Sequence, residues 1–374
     1  MLKITIIGAG HGGLALAAHL ARQGCRVTLC ADAEHPGFIH KVMANDGEIE
    51  LMGRETGIAR IAHLTHNYAE AVSHTQLIIL STPSYAHEPV FRKLLPFLKS
   101  DHIVITLAGN FSAIVLNSIL NAQGHHQHCT LADISSLPYA CRVDETGYRV
   151  QIMGIKKQMG IATLPAHKAP GLQKSIQRVF PTQLIPYQNV LEIGLNITSG
   201  ISHPISALFN AGRIGSDKPS FYFYKEGISE HTAVLLEQLD ADRRAIGKAY
   251  GLSLSPYLQL MEEFYGNKFD NIHEFFQKTP VHNQQKLCPR SLQERYIGQD
   301  VPYVIVPWYC LGKKVGLEST LMRNIIEISS LINDTDYLAE GRNHQALGLD
   351  GFSIQDYIAM IEGSDCDLCR TSAA

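Results

Sequence analysis

Short aliphatic runs alternate with stretches of helical periodicity through the first half of the chain. Ile4-Thr5-Ile6-Ile7, Arg26-Val27-Thr28-Leu29, Leu77-Ile78-Ile79-Leu80 and Ile103-Val104-Ile105-Thr106 read as strands. Continuous apolar runs of this kind suit a parallel sheet covered on both faces. Between them, residues 14–23 and 88–98 place apolar side chains at helical spacing, the second stretch opening on Glu88-Pro89. Strand–helix–strand repetition of this kind predicts a doubly wound α/β domain.

Past about Thr130 the texture changes. Tyr148-Arg149-Val150-Gln151-Ile152 alternates apolar and polar positions, and Gly160-Ile161-Ala162-Thr163-Leu164 follows, which predicts antiparallel strands at the end of the first domain. Beyond residue 187 strands become scarce and long helical patterns take over, as at residues 230–250 and 321–332. The expected organisation is therefore a Rossmann-like doubly wound domain over residues 1–187 and an all-helical domain over residues 188–374. The pattern shows no internal repeat.

The turn after the first strand reads Gly8-Ala9-Gly10-His11-Gly12-Gly13. In a Gly-x-Gly-x-x-Gly loop between a strand and a helix, the first glycine makes the tight turn. The second lets backbone approach a pyrophosphate, and the third lets helix and strand pack closely. The helix start then offers its unpaired N–H groups to the phosphates. Because a second strand follows in register, the motif predicts a bound NAD or NADP, with Gly8, Ala9, Gly10, His11, Gly12 and Gly13 as contacts. An acid at the end of the second strand ordinarily binds the ribose of NAD. Asp32, one place beyond Ala31, is the candidate, which leans the expectation toward NAD; a plain turn residue is its other reading. Thr82-Pro83 and Gly109-Asn110 follow later strands and belong to the same expected cofactor site, or are simple strand-ending turns.

Composition narrows the class. With 45% hydrophobic and 18% charged residues, the chain has ample apolar material for a core. A formal net charge of −3 gives no electrostatic case for nucleic acid or an anionic membrane as partner. No uninterrupted apolar run is long enough for a membrane span, so a soluble protein is expected. Eight cysteines scattered over 374 residues do not form a secreted disulfide framework, and the expected location is a reducing cytoplasm. Neither the Cys366/Cys369 pair nor the cluster His125, His126, His128 and Cys129 has a spacing that surrounds one ion, so no metal is expected.

In the second half, Asn196-Ile197-Thr198-Ser199-Gly200-Ile201-Ser202-His203-Pro204 is a polar cluster in apolar surroundings, with Asn210-Ala211-Gly212 beyond it. Further on come Phe264-Tyr265-Gly266, Arg295-Tyr296-Ile297-Gly298-Gln299-Asp300-Val301-Pro302, and Gly341-Arg342 ahead of Leu347-Gly348-Leu349. Together with the glycine loop and Leu137-Pro138-Tyr139-Ala140-Cys141-Arg142, these segments resemble the opine dehydrogenases, the octopine and nopaline dehydrogenase family. The likeness spans nearly the whole chain. It implies reductive condensation of an α-keto acid, pyruvate or 2-oxoglutarate, with the amino group of an amino acid, using NADH or NADPH. It also implies that His203 and Asp300 are the catalytic pair and that Arg295 belongs to the site. The sequence departs from the family at Gly298-Gln299, where an acid commonly precedes the aspartate.

The chemistry suits such residues. The attacking amine must be neutral and the carbinolamine must lose water, so one group that titrates near neutrality serves both steps. A carboxylate on the other ring nitrogen fixes the tautomer. Arg295 is suited to grip a carboxylate of either substrate or the cofactor pyrophosphate. Ser136 and Cys141 are further candidates for substrate contact. The plainer readings stay open: a histidine before a proline as a structural residue, and Asp300 ahead of Val301-Pro302 as a helix cap. Two other functions fit the architecture. One is a keto- or hydroxy-acid reductase of the ketopantoate or glycerol-3-phosphate dehydrogenase kind using a lysine, for which Lys225 is the candidate. The other is a nucleotide sensor without turnover. Whether the protein is a monomer or a homodimer is left open.

Overall fold

The four apolar runs lie at the centre of an eight-stranded sheet in the computed structural model, which describes residues 1–73, 75–122, 129–216, 220–283, 286 and 288–363. His125, His126, His128, Cys366 and Cys369 lie outside the described residues. The strands are β1 (Lys3–Ile7), β2 (Arg26–Cys30), β3 (Glu48–Gly53), β4 (Gly57–Arg60), β5 (His63–Thr65), β6 (Leu77–Leu80), β7 (Ile103–Leu107), β8 (Thr130–Ile134), β9 (Tyr139–Val143), β10 (Arg149–Ile155), β11 (Gln158–Leu164) and β12 (Gln183–Pro186). The main sheet runs β12-β11-β8-β7-β6-β1-β2-β5. Pairing is parallel from β5 across to β8; β11 then runs antiparallel to β8, with β12 parallel to β11. All four residues of β6 are buried, as expected of a strand covered on both faces.

From β1 the chain winds outward to β2 and β5, then returns to lay β6 on the other side of β1. That reversal opens a crevice beyond the C-terminal ends of β1 and β6, the ordinary place for a ligand in such sheets.

Two details depart from the sequence expectation. The helix expected to open on Glu88-Pro89 begins a turn earlier and spans Ser84–Leu94, with Pro89 inside it. The buried Ser84, His87, Val90, Phe91 and Leu94 set its apolar face, and that periodicity outweighs the one backbone bond Pro89 removes. The alternating run around Tyr148 also does not join the main sheet. As β10 it pairs antiparallel with β9 and parallel with β3 in a second sheet, β4-β3-β10-β9.

Beyond β12 every described regular element is helical. The chain divides into two compact units, Met1–Ile193 with Ile361–Gly363, and a second that runs Gly194–Met360. Within the second, Arg243 on the helix Glu230–Ala249 is fully buried. It donates to Asp240, to the Leu195 carbonyl at 3.0 Å, to Asn196 Oδ1 at 2.6 Å and to the Ser255 carbonyl at 2.6 Å. One cation thus fastens the start of the unit to its longest helix, with its desolvation offset by charge-assisted bonds.

Candidate active site

The glycine loop has the geometry its motif requires. Gly8 stands at φ +111°, and a Cβ there would lie 2.5 Å from the Ser81 carbonyl oxygen; one on Gly13 would lie 1.9 Å from the Gly8 carbonyl oxygen. Neither position admits a side chain. Gly10, by contrast, has no atom within 4 Å of where its Cβ would stand. It caps the helix His11–Arg22, whose first turn carries no acid. The loop therefore presents open space in front of a helix N-terminus, a cradle that fits the pyrophosphate of a dinucleotide.

Ser81 and Thr82 lie directly against this loop. Thr82 follows β6, and its Oγ1 is buried without a partner among the described residues. Pro83 caps the helix that begins at Ser84. Asn110 donates to Ser84 Oγ at 2.8 Å, and Ser112 Oγ lies 2.6 Å from His87 Nδ1 while His87 Nε2 lies 3.0 Å from the Thr82 carbonyl. These bonds tie the loops after β6 and β7 to one another. Gly109 is packed so closely that a Cβ would lie 2.3 Å from Asp133. Ala108, Asn110 and Phe111 all adopt positive φ, between 49° and 68°, a strained turn of the sort found beside ligands.

Asp32 sits just past β2. Its Oδ1 accepts from the Glu34 amide at 2.9 Å, and its Oδ2 accepts from Tyr68 at 3.0 Å and from Lys93 at 2.5 Å. The Lys93 ammonium is the main reason its carboxyl is held below the usual range. His11 accepts the Val143 amide on Nδ1 at 3.0 Å, and Cys141 Sγ lies 3.4 Å from the His11 carbonyl. Burial pushes the Cys141 thiol up to about 11, so it stays protonated. Ser136 is half-buried after β8. A cavity of about 400 Å³ lined by Lys3, Arg26, Thr28, His63, Glu70 and Thr75 opens at the opposite, N-terminal ends of β1 and β2.

The helical unit brings His203 and Asp300 together. His203 lies on the helix Thr198–Phe209, and Ser199 one turn earlier shares its face. Asp300 immediately precedes a π-helical turn, Val301–Ile305, that leads into the helix Val306–Lys314. The two elements approach closely because Gly200 faces that turn; a Cβ there would stand 2.5 Å from Val304 Cγ1 and 3.0 Å from Trp308 Cη2. His203 Nδ1 lies 2.5 Å from Asp300 Oδ2, and Ser199 donates to Asp300 Oδ1 at 2.9 Å. Both partners are buried, with His203 7% and Asp300 2% exposed. Asp300 makes no side-chain cap bond to the helix, which removes the plain cap reading.

The carboxylate can only accept, so the proton sits on Nδ1 and Nε2 is left as an acceptor. Tyr224 Oη stands 2.8 Å from that Nε2. Burial lowers the histidine pKa, the Asp300 charge works against that, and Arg295 adds to the lowering; the net shift is downward. His203 is thus a neutral base at neutral pH. Tyr296 packs against it with ring centroids 4.1 Å apart and 36° between planes. Arg295, on the same short helix as Tyr296, is exposed and makes no ion pair among the described residues. Lys225 is exposed on a turn. The sequence reading missed Tyr224 and Tyr296. The aromatic run Phe221-Tyr222-Phe223-Tyr224 is the only local signal for the first, and it reads as core.

Comparison with known proteins places the chain in a family and a fold. Residues 186–333 match the family model described as NAD/NADP octopine/nopaline dehydrogenase, alpha-helical domain, and residues 4–131 match the model for ketopantoate reductase PanE/ApbA. An opine dehydrogenase of Arthrobacter sp. (strain 1C) is 31% identical over 362 residues, covering 96% of this chain and 98% of that protein. The protein ocs of Agrobacterium tumefaciens (strain Ach5) is 24% identical, covering 97% of this chain and all of the relative, 100%. Among solved structures, octopine dehydrogenase with NADH and L-arginine superposes with a TM-score of 0.77 at 17% identity, over 98% of this chain and 99% of the other. Yersinopine dehydrogenase with NADP+ bound superposes at 0.66 with 18% identity, over 97% of this chain and 98% of the other. At such identities the superpositions speak for the fold.

With a Rossmann-like unit, a helical unit and these relatives, the protein is an NAD(P)-dependent oxidoreductase of the class that acts on CH–NH donors. The chain belongs to the opine dehydrogenase family. Among the described residues, no helix is long and apolar enough to cross a membrane, and no group of three His, Cys, Asp or Glu residues could hold a metal ion.

Proposed function

We propose that the protein joins an α-keto acid, pyruvate or 2-oxoglutarate, to the amino group of an L-amino acid and reduces the product to a secondary amine. The observation that carries this reading is the buried His203–Asp300 pair, a neutral base whose tautomer is held by a carboxylate. Pyruvate and L-arginine are the compounds named with the solved octopine dehydrogenases, which supports the substrate classes. Asp32 at the end of β2 favours NAD over NADP in this reading. The free cysteines among the described residues suit a cytoplasmic setting.

In the proposed sequence His203 takes one proton from the substrate ammonium, and Asp300 stabilises the resulting imidazolium. The neutral amine attacks the keto carbon, and a proton shift from nitrogen to oxygen gives the carbinolamine. His203 then returns its proton to the hydroxyl, which leaves as water and yields a protonated imine. The loop Gly8 to Gly13, with Thr82, Pro83, Gly109 and Asn110 as further proposed contacts, would hold the dinucleotide, which when bound would supply the hydride for that imine. The base gains and loses one proton, so it ends as it began, and the secondary amine takes its last proton from solvent. Arg295 offers its guanidinium to a substrate carboxylate. Ser136 and Cys141 remain proposed substrate contacts.

A lysine-dependent reductase reading would place the chemistry on Lys225. His203→Ala and Lys225→Ala separate the two. We expect amine-dependent oxidation of NADH or NADPH to fall at least ~10²-fold in the first variant and to stay near wild type in the second. The opposite pattern contradicts the proposal.

A further inference from the structure

The ring nitrogen of His203 that must exchange a proton with substrate is already occupied. Its Nε2 faces Tyr224 Oη at 2.8 Å, while Nδ1 is taken by Asp300. His203 is 7% exposed, and Tyr224, half-buried as a whole residue, has its ring enclosed by aromatic neighbours. A proton that enters or leaves Nε2 therefore has the Tyr224 hydroxyl as its immediate hydrogen-bond partner. Tyr224 is itself held in place. Its ring stacks on Phe276 with centroids 5.1 Å apart and 8° between planes, and His282 packs edge-on at 5.0 Å. Phe223 packs at 5.0 Å on another side. Such packing leaves little rotational freedom to swing the ring aside.

We propose that Tyr224 is a catalytic residue, the donor and acceptor through which His203 exchanges its proton with the substrate. The inference rests on the opine reading and adds a third member to its proton path. As the substrate ammonium gives a proton to Tyr224 Oη, the phenol passes its own proton to His203 Nε2, and the imidazolium forms against Asp300. In the dehydration step Tyr224 gives its proton to the departing hydroxyl, and Nε2–H restores the phenol. One proton enters and one leaves, and no redox partner is involved.

The electrostatic surroundings favour this division of labour. Burial among aromatic rings, with Tyr296 and Tyr257 nearby, pushes the Tyr224 phenol well above its ordinary range, and Arg295 works against that. The phenol is therefore protonated at rest, poised to give a proton only when it takes one. Asp300, Arg295, Tyr296, Tyr257 and His282 are the titratable or charged groups that act on the pair.

The test uses the full-length enzyme with Tyr224→Phe and with fluorinated tyrosines of graded acidity at position 224. The phenylalanine variant is expected to keep its affinity for NADH, followed by nicotinamide fluorescence, and nearly its KM values, while kcat falls about 10²-fold. In the fluorinated series kcat should change systematically with phenol acidity, and that series keeps ring, volume and hydroxyl if the phenylalanine variant does not fold. The relay is overturned if Tyr224→Phe stays within twofold of wild-type kcat. It is equally overturned if kcat falls in that variant but ignores phenol acidity, because the hydroxyl would then only position His203. A wild-type enzyme with no amine-dependent oxidation sinks the opine reading and the relay together. An active wild type with an indifferent position 224 sinks the relay alone.

Discussion

Oδ2 of Asp300 stands 2.5 Å from Nδ1 of His203 although the two residues lie 97 positions apart in the chain. The contact brings a carboxylate that is 2% exposed against an imidazole that is 7% exposed, and it leaves the second ring nitrogen to Tyr224. The three groups form a line, Asp300 to Nδ1 and Nε2 to Tyr224, through the two nitrogens of one ring.

The burial of His203 has a consequence for stability. Its pKa in the folded protein lies below the ordinary histidine value of about 6.5, with burial as the largest cause. Below that value the unfolded chain binds a proton that the folded site resists, so the unfolded state is favoured. The contribution is therefore fully present above about pH 6.5 and is lost as pH falls toward the folded pKa. Urea unfolding at pH 7.5 and pH 5.5 should show a larger loss of stability for wild type than for His203→Gln. Equal losses would count against the shift.

Gly200 sets the distance between the two elements that carry the pair. An added Cβ would stand only 2.5 Å from Val304 Cγ1 and 3.0 Å from Trp308 Cη2, so Gly200→Ala is expected to push the helix Thr198–Phe209 away from Val301–Ile305. Overpacking of this kind costs roughly 1–3 kcal/mol. A displacement of about 1 Å at reacting groups costs on the order of 10²-fold in rate. The variant should fold with a lowered Tm, bind NADH normally and lose most of its kcat. An unchanged kcat would show that the spacing at Gly200 does not govern the pair.

The cofactor loop offers a contrast between two glycines. Gly13→Ala places a methyl group 1.9 Å from the Gly8 carbonyl and should destabilise the protein by roughly 1–3 kcal/mol. Gly10→Ala meets nothing within 4 Å and should leave Tm nearly unchanged. Its methyl group nonetheless occupies the approach of the pyrophosphate, so the Kd for NADH should rise by about tenfold or more. Thermal melts and fluorescence titration of both variants check this. Tight cofactor binding by Gly10→Ala would argue against the cradle.

Much of this was legible in the residues themselves. The strand at Leu77–Leu80 is found where the apolar run ends and begins, because a strand buried on both faces has nothing polar to blur it. The strand β3 escaped notice because Glu48 and Glu50 leave it no continuous apolar run and its parallel partner β10 lies about a hundred residues away. Asp300 shows the limit of local reasoning most clearly. Asp-Val-Pro is a good cap sequence, yet the backbone at Asp300 is helical and its carboxylate turns to His203 and Ser199. The resemblance of the surrounding segments identified that residue where its own neighbours did not. Tyr224 had no comparable signal. Its place at Nε2 depends on three-dimensional packing against Phe276 and Tyr296, and an aromatic run alone does not announce it.

The most direct test of the opine reading is a screen of keto acids against L-amino acids, following oxidation of NADH and NADPH with the wild-type enzyme. The account predicts oxidation only when a keto acid and an amino acid are both present, with one secondary amine formed per nucleotide oxidised. Full turnover with pyruvate or 2-oxoglutarate alone, indifferent to the amino acid added, would contradict it.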